Sequence, residues 1–359
     1  MAKIALVSDV HLGVRQWGIK ERYEDFLATF ERFGREVVKY KPDAVVIGGD
    51  LFDSSNPDAR SVNLAQCVVR NIKEAGIPVY GIDGNHDLAD GWWLRTIGAQ
   101  VLCERETVDI AGTLVTGIPY RNGRDLVDTI REMGDAGMKM DVLVAHFALA
   151  EMNGGGTADT SVQELSPLLD RFGVKFVMMG HVHISDCRTW NGVTYVNPGS
   201  TELKSFNEPK EKYWFMVDTS GLVDPVPMRL ETRPVEYVDI ATEEDIAEFM
   251  IRLECESRAG QKSPRTLYQV VVSGDINDAF RRLAKAAHDN SALARIVMRT
   301  AKTHDHAPMM DHMGSVSKLG AAIEARFPKE SAEARLIVSM LHSPEPSAIR
   351  QIVDKFMAE

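Results

Sequence analysis

"IPVYGIDGNHD", residues 77–87, runs from an apolar strand directly into an amide, an imidazole and a carboxylate. Such groups are costly to bury unless something pairs with them. Two readings are open here. Asn85 and Asp87 could make a turn by bonding their own backbone, as Asn and Asp often do. Alternatively, the strand delivers ligands to a cation.

Upstream, "KIALVSD" (3–9) and "AVVIGGD" (44–50) have the same form, an uninterrupted aliphatic run that stops on an aspartate. Between them, residues 21–40 place Tyr23, Phe26, Leu27, Phe30, Phe33, Val37 and Val38 on one helical face, and Pro42 helps to close that helix. A further helix is expected over 59–75. This β-α-β-α-β order predicts parallel strands covered by helices. Beyond residue 100 come shorter strands, "TLVTGI", "DVLVAHF", "KFVMMGH", "VTYVNPG" and "YWFMVD", with helices near 123–137 and 161–171. Hairpin-like spacing toward 230 suggests antiparallel additions.

The residues that end these strands are chemically alike. They are Asp9 and His11 in "SDVHLG", Asp50 and Asp53 in "GGDLFD", Asn85 and His86 in "GNHD", His146 in "AHFAL", and His181 and His183 in "GHVH". In open α/β sheets the carboxyl ends of the strands line the ligand crevice, so the clusters should converge. Singly, each has a plain reading: a turn, a loop, a core histidine, or a pair of histidines on an exposed edge. Five in order, each at a strand end, favour a metal site. Mixed imidazole and carboxylate ligation suits manganese, iron or zinc. A carboxylate shared by two ions fits a centre that acidifies water and clamps a phosphoryl group.

Composition sets limits. The 359 residues are 44% hydrophobic and 26% charged, ordinary for a globular chain with two or more domains. No apolar stretch approaches the roughly 20 residues of a membrane helix, so no membrane is expected. The amino terminus runs directly into a strand and the four cysteines lie far apart, which together suggest a cytoplasmic setting. A net charge of −11 argues against strong independent DNA binding but suits carboxylates around cations.

The motifs "DVH", "GGD", "GNHD", the lone histidine and "GHVH" resemble those of the calcineurin-like metallophosphoesterase superfamily over roughly residues 4–218. Within it, "GDLFDSSNP" and "NPGSTELKSFNE" resemble the SbcD/Mre-eleven group of DNA double-strand-break nucleases. The resemblance implies an α/β fold, a metallophosphoesterase β-sandwich of two mixed sheets flanked by helices. It implies two divalent ions, manganese first, with iron, zinc or magnesium as alternatives. Asp9, His11, Asp50 and His183 would hold one ion; Asp50, Asn85, His146 and His181 would hold the other, with Asp50 bridging. His86 takes the place of the family's catalytic histidine. Asp53 would orient it as a dyad, or else cap a loop.

The same resemblance implies 3′-to-5′ exonuclease and single-strand endonuclease action on DNA, a homodimer, and an SbcC/Rad-fifty-type ATPase partner. The expected organisation is a nuclease domain (1–233), a small α/β capping domain (234–303), a linker (304–314) and a helical, ATPase-docking segment (315–359). Val316, Leu319, Ile323 and Phe327 share one helical face in that segment, which would equally suit packing on its own chain. Arg15, Lys20 and Arg22 with Trp17, and also Lys204, Lys210 and Lys212, are candidate phosphate contacts or simply solvated side chains. His304, His306 and His312 match no ligand pattern and are read as polar linker. A small-molecule phosphoesterase would need neither the capping unit nor the tail, and a non-catalytic scaffold would have lost ligands.

Overall fold

Strands β1 (Lys3–Val7), β2 (Ala44–Ile47), β3 (Val79–Gly81) and β4 (Gln100–Val101) alternate with helices α1 (Lys20–Tyr40), α2 (Ala59–Glu74) and α3 (Trp92–Thr96). The middle of the chain holds β5 (Val108–Ile110), β6 (Thr113–Ile118), α4 (Gly123–Asp135), β7 (Val142–His146), α5 (Val162–Leu169), β8 (Phe176–Gly180), β9 (Asp186–Trp190), β10 (Val193–Asn197), β11 (Lys212–Asp218) and β12 (Val226–Leu230). Then follow β13 (Val235–Ile240), α6 (Glu243–Arg258), β14 (Leu267–Ser273), α7 (Ala279–Asp289) and β15 (Leu293–Arg299). This computed structural model describes residues 2–260, 265–273 and 278–299, all within one compact unit, Met1–Ala301. The expected linker, the helical segment 315–359 and His304, His306 and His312 lie outside the described residues.

Two six-stranded mixed sheets pack face to face, in the orders β12-β11-β1-β2-β3-β4 and β5-β6-β7-β8-β10-β9. The expected parallel run is present: Leu6 pairs with Val46 and Val46 with Tyr80. The antiparallel additions are β11 against β1 and β12 against β11. Strand β1 shows why its sequence is apolar on both faces. Ile4 and Leu6 enter the core between the sheets, whereas Ala5 and Val7 face the core beneath α1 and α2. Only a strand buried on both sides needs that pattern. The second sheet is covered in the same way by α4 and α5, through Leu126, Ile130, Leu165 and Leu169.

A third sheet, β13-β14-β15, is wholly parallel and carries α6 and α7. It has its own core around Ile246, Phe249, Tyr268 and Leu283. Thr242 starts α6 with a capping box that includes Asp245. Strand β9 was not anticipated: "DCRTW" is an edge strand with half-exposed or exposed residues, so it lacks an apolar run.

Candidate metal centre

The carboxyl ends of β1, β2, β3, β7 and β8 carry all the singled-out residues, and backbone hydrogen bonds tie their loops together. Asp9 N–H donates to Gly49 O (3.1 Å), His11 N–H to Asp50 O (3.0 Å) and Leu12 N–H to Leu51 O (2.9 Å). Four residues here, Asp9 (φ 51), His11 (φ 51), Asp50 (φ 50) and His181 (φ 89), adopt the left-handed conformation that side chains normally avoid. Each such residue costs about 1–3 kcal/mol, and such strain concentrates at functional sites. At Gly84, any Cβ would collide with the Asp50 carboxylate, so glycine is required for the loops to close.

The seven donor-bearing side chains meet. His11 Nε2 lies 3.1 Å from His183 Nε2. Asp50 Oδ2 lies 3.7 Å from His11 Nε2 and 3.4 Å from His146 Nε2, between the two. Asn85 Oδ1 lies 3.1 Å from His146 Nε2 and 2.8 Å from His181 Nδ1. Asp9 Oδ1 stands 3.8 Å from His183 Nε2. Asp9, His11, Asp50 and His146 are buried, while His183 remains partly open. Asp9, His11 and His183 form one compact donor group, Asp9, Asp50 and His146 a second, and His11, Asp53 and His86 a third.

The opposite nitrogen of each of three histidines is held from behind. His11 Nδ1 faces Asp53 Oδ1 at 3.1 Å, His146 Nδ1 faces Gly48 O at 2.8 Å, and His183 Nδ1 faces Glu208 Oε1 at 3.1 Å. His181 Nε2 stands 4.0 Å from Asp159. At His146 and His183 such partners favour the tautomer that leaves the inward nitrogen with its lone pair, whereas His11 Nδ1 also meets the Lys204 ammonium at 2.8 Å, which can only donate to it.

The family model for calcineurin-like phosphoesterases matches residues 2–185, the stretch that supplies every one of these donors. The chain belongs to the calcineurin-like phosphoesterase family. Among curated proteins, this phosphoesterase is 31% identical over 254 residues to the DNA double-strand break repair protein Mre11 of Haloferax volcanii, covering 67% of this chain and 55% of that protein. It is 30% identical over 249 residues to the protein of that name from Aeropyrum pernix, covering 62% and 59%. With the Methanocaldococcus jannaschii protein it shares 23% over 298 residues, covering 77% and 76%. The chain thus spans little more than half the length of the first two relatives.

Divalent metal ions are what this family implies, and the donor set of the phosphoesterase fits them. Ligands at about 2.1 Å from one ion stand roughly 3–3.5 Å apart. The spacings across the cluster, 2.8 to 3.8 Å, bracket that value. Two imidazole lone pairs facing each other, as at His11 and His183, repel unless a proton or a cation lies between them.

Burial and close neighbours shift these groups in both directions. Burial would raise the Asp50 carboxyl, but His146 and His11 outweigh it and hold it far below the usual carboxylate range. Burial works against charge on His146, yet Asp50 lifts it to about 9. His11 goes the other way, pushed down to about 3 by burial and the Lys204 ammonium. Burial raises Asp9 despite His146 and His183.

Several side chains differ from their sequence reading. The His86 ring makes no hydrogen bond to the Asp53 carboxylate, whose Oδ1 stands at ion-pair distance, 3.9 Å from Nδ1. His86 Nδ1 bonds the Asp53 main-chain carbonyl instead, at 3.1 Å. The Asp53 carboxylate turns to His11 and to an ion pair with Lys204. Arg22 is fully buried, paired with Asp25 and Glu202 and donating to Leu203 O, so it neither meets phosphate nor is solvated. Lys212 is also buried, pairing with Glu208. Trp17 stacks on Phe206 (4.2 Å) instead of offering an open face, while Arg15 and Lys20 are exposed.

Of the two readings of this turn, Asp87 takes the backbone-bonding one. Its carboxylate accepts from Phe52 N–H (3.0 Å) and Gly84 N–H (2.8 Å), pinning two ligand-bearing loops together. Burial, then Asp50, push it up to about 7. The last aspartate of "GNHD" is therefore the turn-former, and Asn85 the donor turned into the cluster.

Proposed function

We propose that this phosphoesterase is a two-metal DNA nuclease subunit, a 3′-to-5′ exonuclease and single-strand endonuclease that works in DNA end processing. One observation supports the reading: Asp50 Oδ2 lies within 3.7 Å of His11 and 3.4 Å of His146, with Asp9 and His183 close on the His11 side and Asn85 and His181 close on the His146 side. Asp9, His11, Asp50 and His183 would hold one ion; Asp50, Asn85, His146 and His181 the other. Manganese suits this mixture of imidazole, amide and carboxylate. When bound, the ions acidify water and polarise the phosphoryl group for in-line displacement. The relatives named Mre11 support DNA as the substrate.

His86 is the proton donor in this reading. Its ring stands edge-on to His11 with centroids 4.9 Å apart, and its side chain is 40% exposed, open to substrate. With Nδ1 tethered to the Asp53 carbonyl, Nε2 is the nitrogen left for the phosphoester. As the bond from phosphorus to the sugar oxygen breaks, the imidazolium passes its Nε2 proton to that oxygen, a contribution worth roughly 10²–10⁴ in rate. The His86 main-chain N–H also donates to Asp50 Oδ1 (2.8 Å), which leaves Oδ2 for the ions.

An acidic chain does not hold DNA strongly alone. The reading therefore includes a homodimer and an SbcC/Rad-fifty-type ATPase, with 234–303 as a capping unit and 315–359 as the docking segment. The deciding experiment compares the full chain and His86→Asn with manganese on blunt duplex DNA, single-stranded circles and a nitrophenyl phosphomonoester. Manganese-dependent degradation of DNA, nearly abolished in His86→Asn with both ions retained, is the expected result. Cleavage of the monoester alone would make this a small-molecule phosphatase, and binding of fewer than two ions would leave a scaffold.

A further inference from the structure

His86 stands beside the His11 end of the cluster; Tyr120 stands beside the other end. Tyr120 follows β6, and its main-chain N–H donates to Asp83 O (3.0 Å), which fixes it against the loop that carries Asn85. Its half-buried ring is tilted 36° from the His181 ring, with centroids 5.6 Å apart, and lies nearly edge-on to His146 at 6.1 Å. The hydroxyl has no hydrogen-bond partner among the described residues. Packing against two imidazoles needs only a phenyl ring. A phenol there adds an O–H that no side chain of the cluster takes up and that stays open to an incoming group.

A phenol O–H bonds most strongly to an anionic oxygen. The anions nearest to this ring, Asp50 and Asp159, do not accept from it within hydrogen-bond reach. The O–H is thus left to solvent in the free protein and available to an oxyanion that enters with the substrate.

We propose that Tyr120 is a substrate-contacting residue whose hydroxyl donates to a non-bridging phosphoryl oxygen of the phosphoester, on the His146–His181 side. It would share the phosphoryl charge with His86 from the opposite flank. This rests on the phosphoester-hydrolase reading above and names one more contact within that site.

The test uses the full chain, Tyr120→Phe and Tyr120→Leu. Manganese binding is measured by titration calorimetry, inorganic phosphate affinity is measured on the manganese-loaded protein, and bis-nitrophenyl phosphate hydrolysis is followed by absorbance. Tyr120→Phe should bind manganese like the unaltered chain, yet bind phosphate and turn over the diester about 10–100-fold less well, the loss of one hydrogen bond to a charged group. Tyr120→Leu should show that same loss and weaker manganese binding as well, because the ring no longer supports His181. Equal phosphate affinity and rate in Tyr120→Phe would overturn the proposal and leave Tyr120 as a wall. Weakened manganese binding in Tyr120→Phe would also overturn it, in favour of a role in positioning ligands. If the unaltered chain binds neither phosphate nor the diester, the underlying reading falls with it, an outcome visible before any variant is made.

Discussion

His183 is held between two partners that face opposite nitrogens: Glu208 Oε1 lies 3.1 Å from Nδ1, and His11 Nε2 lies 3.1 Å from Nε2. Glu208 is itself anchored, accepting from Ser200 Oγ (3.1 Å), from Lys204 N–H (3.1 Å) and from Lys212 Nζ (2.6 Å). A carboxylate held by three donors cannot follow the ring if the ring swings. It therefore sets both the tautomer and the direction of a candidate ligand.

Glu208→Gln keeps the shape but removes the charge that favours Nδ1–H. Manganese affinity should fall roughly tenfold or more, measured by calorimetric titration. His86→Asn, which removes none of the seven donor-bearing side chains, should titrate like the unaltered chain. Identical affinities for Glu208→Gln and the unaltered chain would mean that Glu208 only anchors the loop.

The same carboxylate should make the fold acid-sensitive. Burial alone would raise Glu208, but His183 and Lys212 hold it down to about 2, against an ordinary value of 4.5. A carboxyl whose folded value is depressed contributes stability above its unfolded value and loses it as pH falls toward the folded one. Melting temperature should thus decline between pH 4.5 and 2, with a smaller decline in Glu208→Gln. Parallel profiles for the two proteins would contradict this.

Asp53 offers a contrast between two readings of one residue. As a partner of His86, Asp53→Asn would slow hydrolysis and leave metal content alone. With its carboxylate on His11 Nδ1 and its carbonyl on His86 Nδ1, the substitution should instead weaken manganese binding about 10–100-fold. His86 keeps its carbonyl partner, so saturating manganese should restore most of the rate. A rate defect that persists under saturation, with normal metal affinity, would return Asp53 to the dyad.

These residues also mark where the sequence stops being legible. Buried strands ending on candidate donors could be read because an apolar run that stops at Asp, Asn or His is a sharp local contrast, and the parallel pairing of the first three strands followed from the spacing of those runs. Partner choice is not local. Lys204 reaches Asp53 from 151 residues away, and Arg233 reaches the Asp25 beside Arg22 from 208 away. Nothing near Arg22 announces that it is sealed under the loop bearing Glu202 and Leu203. Lys212 reads as an exposed cation for the same reason, since its counter-charge acquires meaning only when the 200–208 loop folds back on His183.

Gly84 tests how closely the loops must approach. Its φ is not of the left-handed kind, so alanine adds no backbone strain, but the added Cβ would strike the Asp50 carboxylate and main-chain nitrogen. Neither can retreat easily: Asp50 Oδ1 accepts from His86 N–H (2.8 Å), and the Asp50 carbonyl accepts from His11 N–H (3.0 Å). Overpacking of this sort costs about 1–3 kcal/mol. Gly84→Ala should therefore fold with a lowered melting temperature, and its more telling defect should be at Asp50, the carboxylate between His11 and His146. Manganese titration should show both ions weakened together, because pushing Oδ1 and the main-chain nitrogen shifts the whole carboxylate, whose Oδ2 stands between His11 and His146. Loss of a single ion would mean that Asp50 serves one set alone, and unchanged binding of both would mean that the loops have slack the geometry does not suggest.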